Sequence, residues 1–318
     1  MNNFIKYFFM LMLMLMLSTL SLSVVNAQGC SDAGFCTMGA MRPGQPYSNN
    51  LNIMLKSVEL SQYIGLTRFN DRIYATTLDF NLGLTRKDAV QFKLPYMAAK
   101  GPLGEMQGVG DISLSYTRTL KKTLRYQFNI TGGAKIPLGN SGKVFEEKPL
   151  PMYYQQNLGT YDFVLGISFL TNKWLVATGL QYPLNTNQNQ FSSKPWIQEG
   201  TSSEVIDQYS SSIDLDRGKD VMFRVERSIR KSNWGVSIGL LSIYRLNKDE
   251  RTNPTTKERE LVKDSDGLAL TGLLGLNYMF NVNSTLKVIY GHRIIKRHVS
   301  PDGLSREQVV GVGYVYKF

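Results

Sequence analysis

Cysteine and histidine are nearly missing from this 318-residue chain, with two of each. So few leave no multi-bridge disulfide scaffold and no Cys/His zinc centre. After residue 27 there is also no apolar run approaching the roughly 20 residues that a membrane-crossing helix needs. No carboxylate pair, metal-ligand cluster or strand–turn–helix nucleophile motif stands out, so neither a cofactor nor catalysis is expected.

The amino terminus is the one strongly apolar segment. Lys6 supplies a positive start, residues 8–22 an apolar stretch rich in Leu and Met, and Val25-Asn26-Ala27 a small-residue cleavage site. Residues 1–27 therefore read as a secretory signal, with the mature chain beginning at Gln28. A membrane anchor would not end in a cleavage site. Acylation of Cys30 would require different residues at Ala27 and Gln28. In an oxidising compartment Cys30 and Cys36, separated by a short Gly-containing loop, favour a local disulfide over a redox pair or metal clip. The formal charge is +11. A basic balance points to nucleic acid or to anionic membrane, and export removes nucleic acid from consideration.

Beyond a Gly/Pro/Asn-rich segment, 28–50, apolar residues recur with a period of two. In 74–84, Tyr74, Thr76, Leu78, Phe80, Leu82 and Leu84 oppose Ala75, Thr77, Asp79, Asn81 and Gly83. At the carboxy terminus, Val310, Val312, Tyr314, Tyr316 and Phe318 oppose Glu307, Val309, Gly311, Gly313, Val315 and Lys317. This alternation predicts about twelve strands, near 53–66, 73–85, 89–98, 110–120, 124–137, 158–170, 173–184, 219–230, 233–246, 267–281, 284–297 and 305–318. Tight polar turns, such as 86–88, 171–173 and 281–283, alternate with longer segments at 67–72, 99–109, 138–157, 185–218, 247–266 and 298–304. That rhythm fits an all-β, transmembrane, antiparallel up-and-down barrel over 51–318, with periplasmic termini in a Gram-negative outer membrane. Residues 28–50 then form a periplasmic segment able to plug it. Aromatic residues near strand ends, Tyr74, Tyr96, Trp174, Tyr182, Trp234 and Tyr244 among them, suit the two interfaces of a bilayer. A soluble sandwich or propeller explains the alternation but not those girdles. The expected partners are outer-membrane lipid, a small-molecule substrate and, through the terminal aromatic Phe318, the barrel assembly machinery.

Three motifs carry a family likeness: Lys93-Leu94-Pro95-Tyr96, Gly108-Val109-Gly110-Asp111-Ile112-Ser113-Leu114-Ser115-Tyr116, and Gly132-Gly133-Ala134-Lys135-Ile136-Pro137-Leu138-Gly139. In order and spacing they resemble the outer-membrane family named for the meta-pathway of phenol degradation, a group of transporter-like barrels. The resemblance implies a channel or transporter. Cys30, Cys36 and the loops 185–218 and 247–266 lie outside it, so the family's aromatic substrate does not carry over.

The face opposite the apolar stripe collects Asp79, Lys93, Asp111, Arg125, Gln127, Asn129, Lys135, Arg224, Glu226, Arg245, Lys287 and Arg293. Charges on the inner wall of a barrel either pair across it or line a selective path. Bases outnumber acids in this set, which predicts passage of small amphipathic, hydrophobic or anionic molecules. Two other classes remain open. A lipid hydrolase would use His298-Val299-Ser300, which has the His-x-Ser spacing of the outer-membrane phospholipase but lacks the Asn-Gly-Arg that follows there. His292 shares parity with Val288 and Tyr290 and reads as a rim residue. A non-conducting structural or adhesion barrel would use the charged loops 185–218 and 247–266.

Overall fold

The computed structural model describes residues 35–42, 54–139 and 141–318. The expected signal peptide, Gln28 and Cys30 lie outside the described residues, and with Cys30 the expected Cys30–Cys36 bridge.

Twelve long strands make one antiparallel sheet closed on itself. They are β1 (Met54–Leu66), β2 (Arg72–Gly83), β3 (Asp88–Gly101), β4 (Ile112–Lys122), β5 (Tyr126–Ile136), β6 (Asp162–Thr171), β7 (Trp174–Pro183), β8 (Asp220–Lys231), β9 (Trp234–Arg245), β10 (Gly267–Met279), β11 (Ser284–Ile295) and β12 (Gln308–Lys317). Each pairs with its sequence neighbours, and β12 pairs back onto β1 from Ser57 opposite Lys317 to Leu66 opposite Gln308. No edge is left among these strands, so their backbone groups are satisfied without water, which a hydrocarbon environment requires. Strands of 10 to 14 residues are long enough to cross a bilayer at a tilt, for which about 9–11 suffice.

Period two in the sequence becomes inside and outside in the fold. Along β6, Asp162, Val164, Gly166 and Ser168 are buried while Phe163, Leu165, Ile167 and Phe169 are exposed. The same outward apolar face continues around the circumference through Leu78, Leu114, Phe223, Ile238 and Leu274. A soluble sandwich would bury such a stripe; here it is the outer surface, as lipid contact demands. Aromatic residues flank it. Tyr126, Trp174, Trp234 and Tyr278 lie at the end with short turns, where the Trp234 and Tyr278 rings pack 4.6 Å apart. Tyr74, Tyr96, Tyr161, Tyr182 and Tyr244 lie at the end with long loops.

Several connections differ from the sequence reading. The segment taken as loop 99–109 is mostly a hairpin extension: residues 104–109 form a strand that pairs with the end of β3, turning at Gly101-Pro102-Leu103-Gly104. Pro102 suits the second position of such a turn, and Gly104, at φ 125°, adopts a conformation that a side chain would resist. β6 begins at Asp162 rather than near 158, because the Leu158 N–H turns inward to the Asp111 carboxylate and Gly159 takes φ 68°. β5 begins at Tyr126 rather than 124, since the Thr123 hydroxyl accepts the N–H groups of Arg125 and Tyr126 and folds 123–125 into the turn. The loop 247–266 holds a hairpin of 250–252 with 259–261. The loop 185–218 holds two short helices, 194–198 and 203–206.

An arginine at the centre of the lipid-facing stripe tests this assignment. Ile238→Arg, opposite Leu274 in the middle of β9 and β10, should destabilise the barrel in vesicles by about 2–4 kcal/mol. Denaturant titration by tryptophan fluorescence measures it, and a change near zero would mean that Ile238 does not meet hydrocarbon.

Candidate functional site

The barrel interior is occupied by the chain itself. Residues 35–42, two short 3-10 turns, lie against the inner wall. The Gly39 N–H donates to Gln91 Oε1 at 2.6 Å, the Ala40 N–H to Thr131 Oγ1 at 2.9 Å, and Lys93 Nζ to Thr37 Oγ1 at 3.0 Å. Met38 and Met41 join a buried cluster with Cys36, Val164, Leu175, Ala177, Met222, Leu241 and Leu273, all inward residues of β6 to β10 except those of the segment. Two glycines explain how a methionine fits there. Gly166 and Gly179 face each other across β6 and β7, and a Cβ on either would come within 2.7 Å and 2.3 Å of the Met41 sulfur. Arg42 pairs with Glu59 and stands 3.7 Å from Asp79. None of these contacts was legible from 28–50 alone; the signal available was the pair of inward glycines on neighbouring strands.

Around this segment the inner wall is a set of ion pairs. Asp79 lies 3.6 Å from Lys93 and accepts from Gln91 Nε2 at 2.8 Å. Lys135 lies 3.2 Å from Asp111, Arg224 2.8 Å from Glu226 and Lys287 3.1 Å from Glu59. Arg293 pairs with Glu307 and donates to Ser305 Oγ at 3.0 Å. Asn129 accepts from Gln127 and Thr119 and donates to Ser168. Arg125 differs from the expectation: it sits exposed in the β4–β5 turn, because the Thr123-centred turn ends before β5 begins. The expected excess of base over acid also shrinks. Glu59 on β1, Asp162 and Asp220 at the starts of β6 and β8, and the loop residues Asp249, Asp302 and Glu307 supply partners that the inward set omitted.

The densest of these groups closes the wall at the long-loop end. Arg245 donates to Asp220 at 2.9 and 2.7 Å, to Asp249 at 2.7 and 2.9 Å, and to Asp302 at 2.7 Å. Arg217 holds Asp162 at 3.0 Å, and Arg297 lies 3.6 Å from Asp302. The three arginines hold the Asp302 carboxyl well below the usual carboxylate range despite its burial. One arginine thus ties β8 and β9 to two loops, so Arg245→Gln leaves three buried carboxylates short of a partner. Its cost should be about 3–5 kcal/mol, read as a lowered denaturant midpoint, with no shift contradicting this account.

Above the ion pairs the loops pack into a cap with its own apolar core: Phe69, Leu103, Leu150, Tyr153, Tyr154, Phe191, Trp196, Ile206 and Tyr209, resting on Ile73 and Ala99 of the wall. Asp71, in the β1–β2 turn, accepts the hydroxyls of Tyr154 at 2.6 Å, Tyr209 at 2.7 Å and Thr67 at 2.9 Å. Burial pushes the Tyr153 hydroxyl up to about 12, and burial with the nearby Asp71 carboxylate pushes Tyr154 and Tyr209 up further. A tyrosine whose folded pKa is raised contributes stability that is complete below its unfolded value of about 10 and is lost as pH rises beyond it. The cap should therefore stay closed to pH 10 and open as Tyr153 ionises towards pH 12. Phenolate absorbance and acrylamide quenching of Trp196, buried in the cap core, should rise together over that window in a Trp174→Phe, Trp234→Phe variant, and quenching that is independent of pH would contradict the cap.

His292 stacks on Tyr290 with ring centroids 6.5 Å apart, and His298 is exposed in the β11–β12 loop. Below the segment a cavity of about 160 Å³ is lined by Arg42, Glu59, Asp79, Glu226, Arg230 and Lys287 among others.

A closed twelve-stranded antiparallel barrel with an apolar outer face and a polar, charge-paired interior is a transmembrane barrel of the outer-membrane type. A solved outer membrane channel from Pseudomonas putida F1 shares this fold, with a TM-score of 0.57 at 14% identity over 86% of this chain and 99% of that one. A NanC porin (TM-score 0.44, 10% identity, 83% of this chain and 98% of that one) and a KdgM porin (0.43, 9%, 82% and 99%) are more distant. No protein-family model and no curated protein sequence matches the chain.

Proposed function

We propose that this protein is an outer-membrane channel or transporter-like barrel whose own residues 35–42 obstruct the lumen and yield to let small molecules through. The observation that carries the reading is the docking of Met41 into the Gly166–Gly179 niche. The segment is held by side-chain packing, hydrogen bonds and the Arg42 ion pairs, whereas the wall is held by continuous backbone ladders, so the segment is the part that can yield. The long loops then face outward and both termini the periplasm, as for barrels with short periplasmic turns. The segment is reached after removal of 1–27, and Phe318, exposed beside Tyr316, is the feature offered to the assembly machinery. Kinship with the meta-pathway transporter-like family is part of this proposal and rests on the three sequence motifs.

For the substrate class, small anionic or amphipathic molecules suit the short-turn end. There Arg230 and Lys317 line one small cavity with Arg42, Lys287, Asn233 and Asn277, and among the described residues Arg230 and Lys317 have no acidic partner, unlike Arg224. The charge bias thus rests on Arg230 and Lys317 rather than on Arg224, which Glu226 neutralises, or on Arg125, which sits outside the wall in the β4–β5 turn. Filling the niche with Gly166→Val and Gly179→Val should displace Met41 and raise conductance in planar bilayers severalfold. Adding Arg230→Gln and Lys317→Gln should then lower anion preference, since lumen substitutions tune selectivity. A folded, heat-modifiable barrel that stays silent with the niche filled would instead support a non-conducting scaffold, a reading favoured by the packed loop cap.

A further inference from the structure

At the long-loop rim the wall parts between β7 and β8. Their ladder ends at Gln181 opposite Asp220, while β7 continues its bond to the β6 side through the Leu184 N–H to the Tyr161 carbonyl at 2.8 Å. On the other side the Leu246 N–H bonds the Lys219 carbonyl at 2.8 Å. Pro183, with no N–H to donate, stands where the next rung would be. The split opens a groove of about 660 Å³ that runs from the lipid-facing residues Tyr182 and Leu184, past Leu261, to the buried Arg217.

Its chemistry is divided along its length. Tyr182, Leu184 and Leu261 are exposed and apolar, at the level of the upper aromatic girdle. Lys219 holds its ammonium 4.6 Å from the Tyr182 ring centroid, and Lys248 lies exposed on the same rim. Among the described residues, neither lysine has an acidic partner. At the inner end Arg217 is 3% exposed; Nη1 engages Asp162, Nε stands 4.0 Å from Asp302, and among the described residues Nε and Nη2 have no hydrogen-bond partner. Of the two acids in the groove, Glu250 is paired with Arg259 at 2.8 Å and Arg217 is held by Asp162, which leaves Asp216 against Lys219 and Lys248. Two ammonium groups beside an apolar strip at the bilayer interface match a phosphate head group with an acyl chain, and Arg217, already paired with Asp162 and Asp302, forms the floor behind them.

We infer that this groove docks a phosphate-bearing glycolipid of the outer leaflet, its phosphate on Lys219 and Lys248 and its acyl chain along Tyr182 and Leu184. The outward placement of the groove rests on the orientation given under the proposed function; the binding itself does not. A lipid there would seal the split in the wall without blocking the lumen.

The test is delipidated barrel in detergent, titrated with a bis-phosphorylated acyl-glucosamine lipid and followed by native mass spectrometry. Wild type should retain the lipid, and Lys219→Gln with Lys248→Gln should weaken binding roughly tenfold or more. Lys173→Gln with Lys231→Gln, at the opposite end, should leave it unchanged. Conductance of the Lys219/Lys248 variant in a bilayer lacking the glycolipid should match wild type, which separates this claim from the channel reading. Equal retention by the wild type and the Lys219/Lys248 variant would overturn the inference. So would retention of a free fatty acid in place of the phosphoglycolipid, which would make the groove a lateral path for a transported amphiphile.

Discussion

Pairing of β12 with β1 closes the sheet, and the rest of the molecule depends on that closure. Without it two strands would present unpaired N–H and C=O groups to hydrocarbon, each costing several kcal/mol. With it, Ser57 through Leu66 and Gln308 through Lys317 satisfy one another, and alternate residues of each strand are committed to lipid or lumen. A one-residue slip at this seam would send Glu59 and Lys317 into lipid and Leu60 and Tyr316 inward.

Closure also creates a problem inside. A twelve-stranded ring is too wide for its own inward side chains to fill, and many of them are ionised. The protein answers at three levels along the axis. Ion pairs such as Lys135 with Asp111 and Arg224 with Glu226 neutralise the wall. Residues 35–42 fill the middle by placing Met38 and Met41 against Val164, Ala177 and Met222. The loops roof the far end through the Arg245 carboxylate cluster and the aromatic core pinned by Asp71. The wall is thus held by continuous backbone ladders, while the segment and the cap are held by side-chain packing, hydrogen bonds and ion pairs.

The wall was legible in the sequence because lipid and lumen impose a strict period of two. Twelve strands, their faces and the alternation of short and long connections could all be read from residues such as Phe163 to Phe169. The errors fell where that period is overridden by local or distant bonds. The Thr123 hydroxyl captures two N–H groups and takes Arg125 out of the wall. Asp111 captures the Leu158 N–H and shortens β6. The interior site was less legible still. Parity placed Lys93, Lys135, Arg224 and Lys287 on the inner face, but their neutralisation depends on Glu59, Asp79, Asp111 and Glu226 lying at matching heights on the wall. The niche for Met41 depends on two glycines brought together by strand register, 125 or more residues from the methionine.

Residues 35–42 occupy the lumen of the folded barrel, and both the obstruction and its release follow from that placement. Methyl–methyl nuclear Overhauser effects from the Met41 ε-methyl, measured on methyl-labelled protein in nanodiscs, address this directly. Contacts to Val164 and Ala177, both inward residues of β6 and β7 in one cluster with Met41, are the expected result. A Met41 methyl with no contact to either residue and with full exposure to a water-soluble paramagnetic probe would contradict it.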